Sequence, residues 1–259
     1  MRWNGSVAVV TGASRGIGRA VARTAAARGA RVGLVARTRQ DLEAVLAEIG
    51  GRGAIATADM ADREQAEAAI EALASELGPV DILVNNAGVG AYGPVTDTPV
   101  EDFERLMRVN YFSAVYATKA VLTSMGGRGC GHVVNLASVA GRFGAPLEAA
   151  YSASKFAMVG FTEALAFEVG PQGVGVSMVN PGPVDTEFFE RRGHPYARSR
   201  PKPVSAERVA AAVIDVVEHD RLERIIPGSL RPALVFKDML PPLYRFGTTK
   251  AVAPYLGEA

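Results

Sequence analysis

Val7-Ala8-Val9-Val10-Thr11-Gly12-Ala13-Ser14-Arg15-Gly16-Ile17-Gly18 decides how this chain folds. Val7 to Val10 is a continuous apolar run that reads as a buried strand, Thr11 and Gly12 end it, and the Ala-rich stretch from Arg15 to Arg28, closed by Gly29, reads as a helix. The turn between them is where free backbone amides and the helix dipole favour an anionic phosphate, and its glycines let the backbone come close to a ligand. The spacing is GxxxGxG rather than GxGxxG, so its position between strand and helix carries the reading more than the pattern does. A turn of this composition also serves simply as a tight packing corner.

The same alternation repeats down the chain. Strands are expected at Val32 to Ala36, Ala54 to Ala58, Ile82 to Val84, Val133 to Leu136, Val174 to Val179 and Arg224 to Ile226. Helices are expected at Arg39 to Ile49, Arg63 to Leu77, Val100 to Met125, Ala150 to Val169 and Ala206 to Glu218. Strands apolar throughout, with crossover helices between them, predict an α/β fold: a doubly wound parallel sheet of about seven strands, covered on both faces, forming a single domain over residues 1–259. Ligands of such sheets lie beyond the carboxyl ends of the strands, which singles out Gly12, Arg37, Asp59, Asn85, Ser138 and Pro181.

Composition narrows the function classes. With 48% hydrophobic and 21% charged residues and a net charge of +1, nothing points to disorder or to a nucleic-acid partner. The basic residues Arg191, Arg192, Arg198 and Arg200, interrupted by prolines, read as a solvated loop. The single cysteine, Cys130, cannot form an internal disulfide and reads as structural. His132, His194 and His219 share no metal-ligand spacing, so no metal is expected, and His194 is expected to be solvated. Met1 to Ser6 lacks an apolar signal core, and no run of about 20 apolar residues is present, so a soluble cytoplasmic protein is expected.

Tyr151 and Lys155 stand four residues apart in an expected helix, one turn above the other. A free phenol titrates near ~10, and bringing it to about 7 takes roughly 4 kcal/mol, which one ammonium at ~4 Å supplies at an effective dielectric near 20. Such a pair can exchange a proton near neutrality, as hydride chemistry at a carbonyl requires. At the end of the second strand a carboxylate would bind the ribose diol of NAD, whereas this chain has Arg37, with Arg15 as a second cation beside the same ribose. NADP(H) is therefore expected over NAD(H).

Taken together, the turn Thr11 to Gly18, Asp59, Asn85-Asn86-Ala87-Gly88, Asn110, Ser138, Tyr151, Lys155 and Pro181 to Thr186 resemble the short-chain dehydrogenase/reductase superfamily, over roughly residues 5–228. The resemblance implies a Rossmann-like fold and a carbonyl–alcohol oxidoreductase. It implies Tyr151 as proton donor, Ser138 as hydrogen-bond donor to the substrate oxygen, Lys155 as the group that lowers the tyrosine pKa and holds the nicotinamide ribose, and Asn110 as support for a proton-relay water. The cofactor-binding set it implies is Gly12, Ser14, Arg15, Gly16, Ile17, Gly18, Arg37, Asp59, Met60, Asn86, Ala87, Gly88, Tyr151, Lys155, Pro181, Gly182, Val184 and Thr186. Within it Asp59 meets the adenine, Asn86 to Gly88 the adenosine ribose, and Val184 with Thr186 the carboxamide. A homodimer or homotetramer is the family's usual assembly.

Residues 187–203 are expected to form the substrate lid, with Phe188, Phe189, Tyr196, Phe143 and Leu147 lining an apolar pocket for a hydrophobic ketone or aldehyde. The apolar extension 229–259 departs from members acting on carrier-bound 3-ketoacyl groups. It is expected to pack on its own subunit, to alter assembly or shield the pocket, or to touch a membrane surface through Arg231, Lys237 and Arg245. The competing functions are an NAD(H)-dependent alcohol dehydrogenase and a nucleotide-binding regulator without turnover.

Overall fold

The computed structural model describes residues 1–196 and 201–256, with side chains through 250. The first unit is as expected: β1 (Val7–Thr11) is wholly buried, and α1 (Gly16–Ala27) turns Val21, Ala22 and Ala25 inward. Thereafter come β2 (Arg31–Ala36), α2 (Arg39–Glu48), β3 (Gly53–Thr57), α3 (Arg63–Leu77) and β4 (Ile82–Asn85). The Asp62 side chain accepts a hydrogen bond from Gln65 N, capping α3 at its start, and Gly78 closes it.

The single helix expected from Val100 to Met125 is α4 (Val100–Met107), then a π-helical segment, Arg108–Phe112, then α5 (Ser113–Arg128). A π turn holds one residue more than an α turn and is invisible to a 3.6-residue pattern. Gly129, with φ 65°, ends α5 in the left-handed region.

The second half adds β5 (Gly131–Leu136), α6 (Ala149–Val169), β6 (Val174–Pro181), β7 (Val184–Asp185), α7 (Phe188–Arg191), β8 (Val204–Ser205), α8 (Ala206–Glu218) and β9 (Glu223–Ile226). Helices α9 (Arg231–Met239) and α10 (Pro241–Leu256) follow. The main sheet is parallel in every pairing and runs β3-β2-β1-β4-β5-β6-β9, while β7 and β8 form a small parallel pair.

Side chains alternate to the two faces of each strand, so β1 sends Ala8 and Val10 into a core shared with α1 and α8 and sends Val7 and Val9 into one shared with α3 and α5. Strand order reverses between β1 and β4, so the chain diverges there above the strand ends and leaves a crevice. No helix of the described residues is long and apolar enough to cross a membrane.

Candidate active site

A cavity of about 1280 Å³ opens at that divergence. It exceeds the usual ~300–1,000 Å³ of a single small-ligand pocket, leaving room for a dinucleotide and a second molecule. Of the expected catalytic and cofactor-binding residues, all line it except Gly18 and Asn110, and of the strand-end positions Asn85 does not.

Gly18 and Asn110 work from behind. A Cβ on Gly18 would lie 2.2 Å from Gly12 O and 2.5 Å from Asn86 Nδ2, so Gly18 is a packing residue that lets α1 close on the turn rather than a cofactor contact. Asn110 sits fully buried in the π segment, its Oδ1 accepting from Val89 N at 2.8 Å and its Nδ2 donating to Val89 O and to Ser154 Oγ, each at 2.9 Å. It thereby joins the β4 loop to α6, and the extra residue of the π segment aims it there.

The glycine turn is held by β4. Thr11 Oγ1 accepts from Asn86 N and Ala87 N, and Asn86 Nδ2 donates to Thr11 O at 2.9 Å and Gly12 O at 3.1 Å. Asn86 lines the crevice, yet its amide is occupied with the turn. Gly12 and Gly16 have φ of 64° and 51°, and a Cβ on Gly12 would meet Ala87 Cα at 2.9 Å, so these glycines keep the cradle open for a phosphate.

Two arginines stand at the next step of the crevice. Arg15 is paired with Asp41 at 2.9 Å and Glu187 at 3.2 Å, bridging the turn to α2 and to the lid. Arg37 is exposed at the tip of β2 and has no ion pair among the described residues. Asp59 Oδ1 accepts from Ala61 N at 3.0 Å, beside the buried Met60.

At the far end, Ser138 follows β5, and its hydroxyl donates to Pro181 O at 3.3 Å and accepts from Ala140 N at 3.1 Å on the same wall of the cavity as Tyr151. Burial pushes the phenol up to about 12, opposed only in part by the neighbouring Ser138 hydroxyl. This corrects the expectation that Lys155 makes the phenol acidic. The Lys155 ammonium lies 5.9 Å from the Tyr151 ring centroid, is bonded to Leu136 O at 2.8 Å, and is itself brought down to about 8 by burial. Loss of hydration outweighs charge attraction here, and the phenol holds its proton at neutral pH.

The lid also departs from expectation. Arg192, read as part of a solvated cluster, is buried, whereas Arg191 is exposed and Arg198 and Arg200 lie outside the described residues. His194, expected in solvent, is half-buried and stacks on Tyr92 with ring centroids 4.1 Å apart. Phe188 packs on the Tyr151 ring at 5.4 Å, Phe189 adjoins Phe188, and Tyr196 adjoins Phe189.

The first part of the extension, residues 229–237, packs on the body of the chain. Leu230 lines the cavity, Leu234 is buried, and Lys237 Nζ donates to Arg142 O in the loop after Ser138. Its outer side leaves Val235, Phe236, Met239, Leu243 and Phe246 exposed. Cys130, read as structural, is exposed.

Sequence reasoning missed one structural device, a buried ladder in which Asn85 Nδ2 donates to Thr118 Oγ1 and Asn135 Oδ1, and Asn135 Nδ2 to Thr162 Oγ1. It ties β4 and β5 to α5 and α6. Polar residues inside apolar strands were its only signal.

Comparison with known proteins bears on this geometry. Residues 6–197 match the short chain dehydrogenase family. The chain belongs to the short-chain dehydrogenase/reductase family. Relatives in that family include the 3-oxoacyl-[acyl-carrier-protein] reductase of Escherichia coli, 36% identical over 188 residues (73% of this chain, 77% of the relative). D-threitol dehydrogenase of Mycolicibacterium smegmatis is 40% identical over 190 residues (72% and 73%). An uncharacterised oxidoreductase of Bacillus subtilis is 32% identical over 248 residues (92% and 69%), so its similarity extends into the C-terminal helices.

Among solved structures, a short-chain dehydrogenase/reductase of Burkholderia phymatum in complex with NAD superposes with TM-score 0.85 at 26% identity, covering 94% of this chain and 96% of that one. An alcohol dehydrogenase of Thermococcus sibiricus complexed with 5-hydroxy-NADP gives 0.77 at 28%, covering 85% and 95%. The chain is thus an oxidoreductase of a family that works with a nicotinamide cofactor, NAD or NADP.

Proposed function

We propose that this protein is an NADP(H)-dependent reductase that converts a ketone or aldehyde with a hydrophobic body to the alcohol. The observation that carries the reading is the placement of Ser138, Tyr151 and Lys155 together on the wall of the cavity, the Tyr151 phenol keeping its proton. The donor set fits a dinucleotide: an open glycine cradle for the phosphates, Asp59 for the adenine, and Lys155 and Thr186 along the nicotinamide end. A bound nicotinamide supplies the hydride to the carbonyl carbon. Ser138 orients the carbonyl oxygen and stabilises the charge that grows on it, and Tyr151 delivers its proton to that oxygen. Lys155 holds the ribose and the field around the phenol, and Phe188 excludes water from the Tyr151 ring.

Arg37, free of any ion pair among the described residues, supports NADP(H), since an added 2′-phosphate would find an uncompensated guanidinium there. Exposed Phe112 and Phe167 support assembly into a homodimer or homotetramer.

The test is Tyr151→Phe. Turnover of a ketone panel, followed by NADPH absorbance, should fall by about 10²–10⁴-fold with cofactor affinity retained. Turnover unchanged by the substitution would sink Tyr151 as the proton donor, and a wild type that binds cofactor but turns over no carbonyl would put a nucleotide-binding regulator in place of the reductase.

A further inference from the structure

Among the described residues two lysine or arginine side chains are buried, Lys155 and Arg192, and both line the same cavity. Lys155 has its place in the chemistry proposed above. Arg192 has none, and a buried guanidinium calls for a reason, since cations are seldom buried without a partner or a task.

Its surroundings hold it rigidly. The Arg192 side chain is 3% exposed. The guanidinium carbon is 4.8 Å from the Tyr92 ring centre and 4.7 Å from that of Phe189, so the group is flanked by two aromatic rings. Nη1 is 2.7 Å from Glu148 Oε1, three residues ahead of Tyr151. Gly90 makes the approach possible, because a Cβ there would lie 3.0 Å from Arg192 Cβ and 2.8 Å from Phe188 Cζ.

The hydrogen-bonding capacity of this group is nonetheless largely unused. A guanidinium has five N–H donors. Among the described residues Arg192 makes one hydrogen bond, from Nε to His194 O at 3.1 Å. Nη1, although close to Glu148, is a buried atom without an aligned acceptor. Buried donors of this kind are rare in folded proteins and call for a partner. Glu148 already balances the charge, so a second anion would be repelled by the carboxylate, while a neutral oxygen would meet no such penalty.

We propose that Arg192 determines specificity by binding a second, uncharged oxygen of the substrate, such as an ester, thioester or amide carbonyl near the ketone that Tyr151 protonates. This rests on the carbonyl-reductase reading and names its substrate class: oxo esters or oxo amides whose apolar body lies against Tyr92, Phe188 and Phe189.

The experiment compares three probes on the full chain with NADPH and with NADH: a 3-oxo ester, the plain ketone of equal length, and the 3-oxo carboxylate. Wild type should favour the ester over the ketone in kcat/KM. In Arg192→Met and in Arg192→Lys the ester-to-ketone ratio should fall by about tenfold to a hundredfold, chiefly through KM, as expected when a hydrogen-bonding site loses its donor. An unchanged ratio, with both substrates losing equally, overturns the proposal and leaves Arg192 a lid brace. Glu148→Gln should shift preference toward the carboxylate; no shift overturns the requirement for a neutral oxygen.

Binding of the 3-hydroxy ester to the NADP⁺-loaded chain, read as a shift in melting temperature, tests Arg192 without turnover. A shift seen in wild type and lost in Arg192→Lys supports the proposal, and an equal shift in both overturns it. Wild type inert toward all three probes, while still binding the hydroxy ester through Arg192, would overturn the reductase reading and leave this contact standing.

Discussion

The two ends of the crevice are built from different materials. At the glycine turn the ligand surface is mostly backbone: Gly12, Gly16, Ala87 and Gly88 present main chain, and Thr11 and Asn86 hold it in shape. At the lid end the surface is side chain: Tyr92, Phe188, Phe189, Arg192 and Leu230, brought from three separate segments. A backbone surface recognises what every dinucleotide has in common, whereas a side-chain surface can be exchanged residue by residue without disturbing the sheet. Damage at the first end should therefore act on all substrates alike, and damage at the second should act on the choice among them.

Gly18→Ala tests the first half of that statement most severely. Its methyl group would collide with Gly12 O in the turn and with Asn86 Nδ2, which holds the turn, so stability should fall by about 3 kcal/mol or more and cofactor affinity should drop for NADPH and NADH equally. Calorimetry and cofactor titration measure both, and a variant that binds normally would show that the turn is softer than its packing implies.

A pH scan of either end needs its background known, and that background comes from His132, at the start of β5. It is buried against Ser177 Oγ at 2.8 Å, and burial brings its pKa down to about 4. Between pH ~6.5 and 4 the unfolded chain binds a proton that the folded chain refuses, so stability should fall as pH drops through that window, by up to about 3 kcal/mol. Chemical denaturation across the window should show a shallower slope for His132→Gln.

Arg37→Asp then separates the cofactors. NADPH should bind about tenfold to a hundredfold more weakly, with NADH affected little, in fluorescence titration. Equal weakening of both would remove the NADP(H) assignment. The mildest change, Phe188→Ala, should raise KM for bulky ketones severalfold while the cofactor affinity stays put, because the Phe188 ring covers Tyr151 and only its backbone N reaches Thr186. If it disturbs cofactor binding instead, the two ends are not separable.

The contrast also explains what was legible beforehand. A backbone-built cradle leaves a trace in sequence, since only glycine serves at Gly12 and Gly16, and continuous apolar strands such as Val7–Thr11 announce a covered parallel sheet. Tyr151, Lys155 and Ser138 were readable because they sit at fixed offsets from those strands. Arg192 was not: nothing in Arg191-Arg192 tells which guanidinium turns inward, because that depends on Gly90, Tyr92 and Glu148, each distant in the chain. The acidity of Tyr151 was misjudged for the same reason. The helical offset gave the neighbour, while the burial that governs the phenol comes from Phe188 and the lid.

The π segment at Arg108–Phe112 has a consequence for how this chain can vary in length. It holds a surplus residue that carries Asn110 toward Val89 and Ser154 while α5 resumes with Ala114, Ala117 and Val121 facing the core. Deleting one residue there would restore a regular spiral and rotate everything after it by roughly 100°. The asparagine would leave its partners, or the inner stripe of α5 would swing outward. Catalytic alignment and interior packing are thus geared together at this point, and drift in one cannot be accommodated without the other.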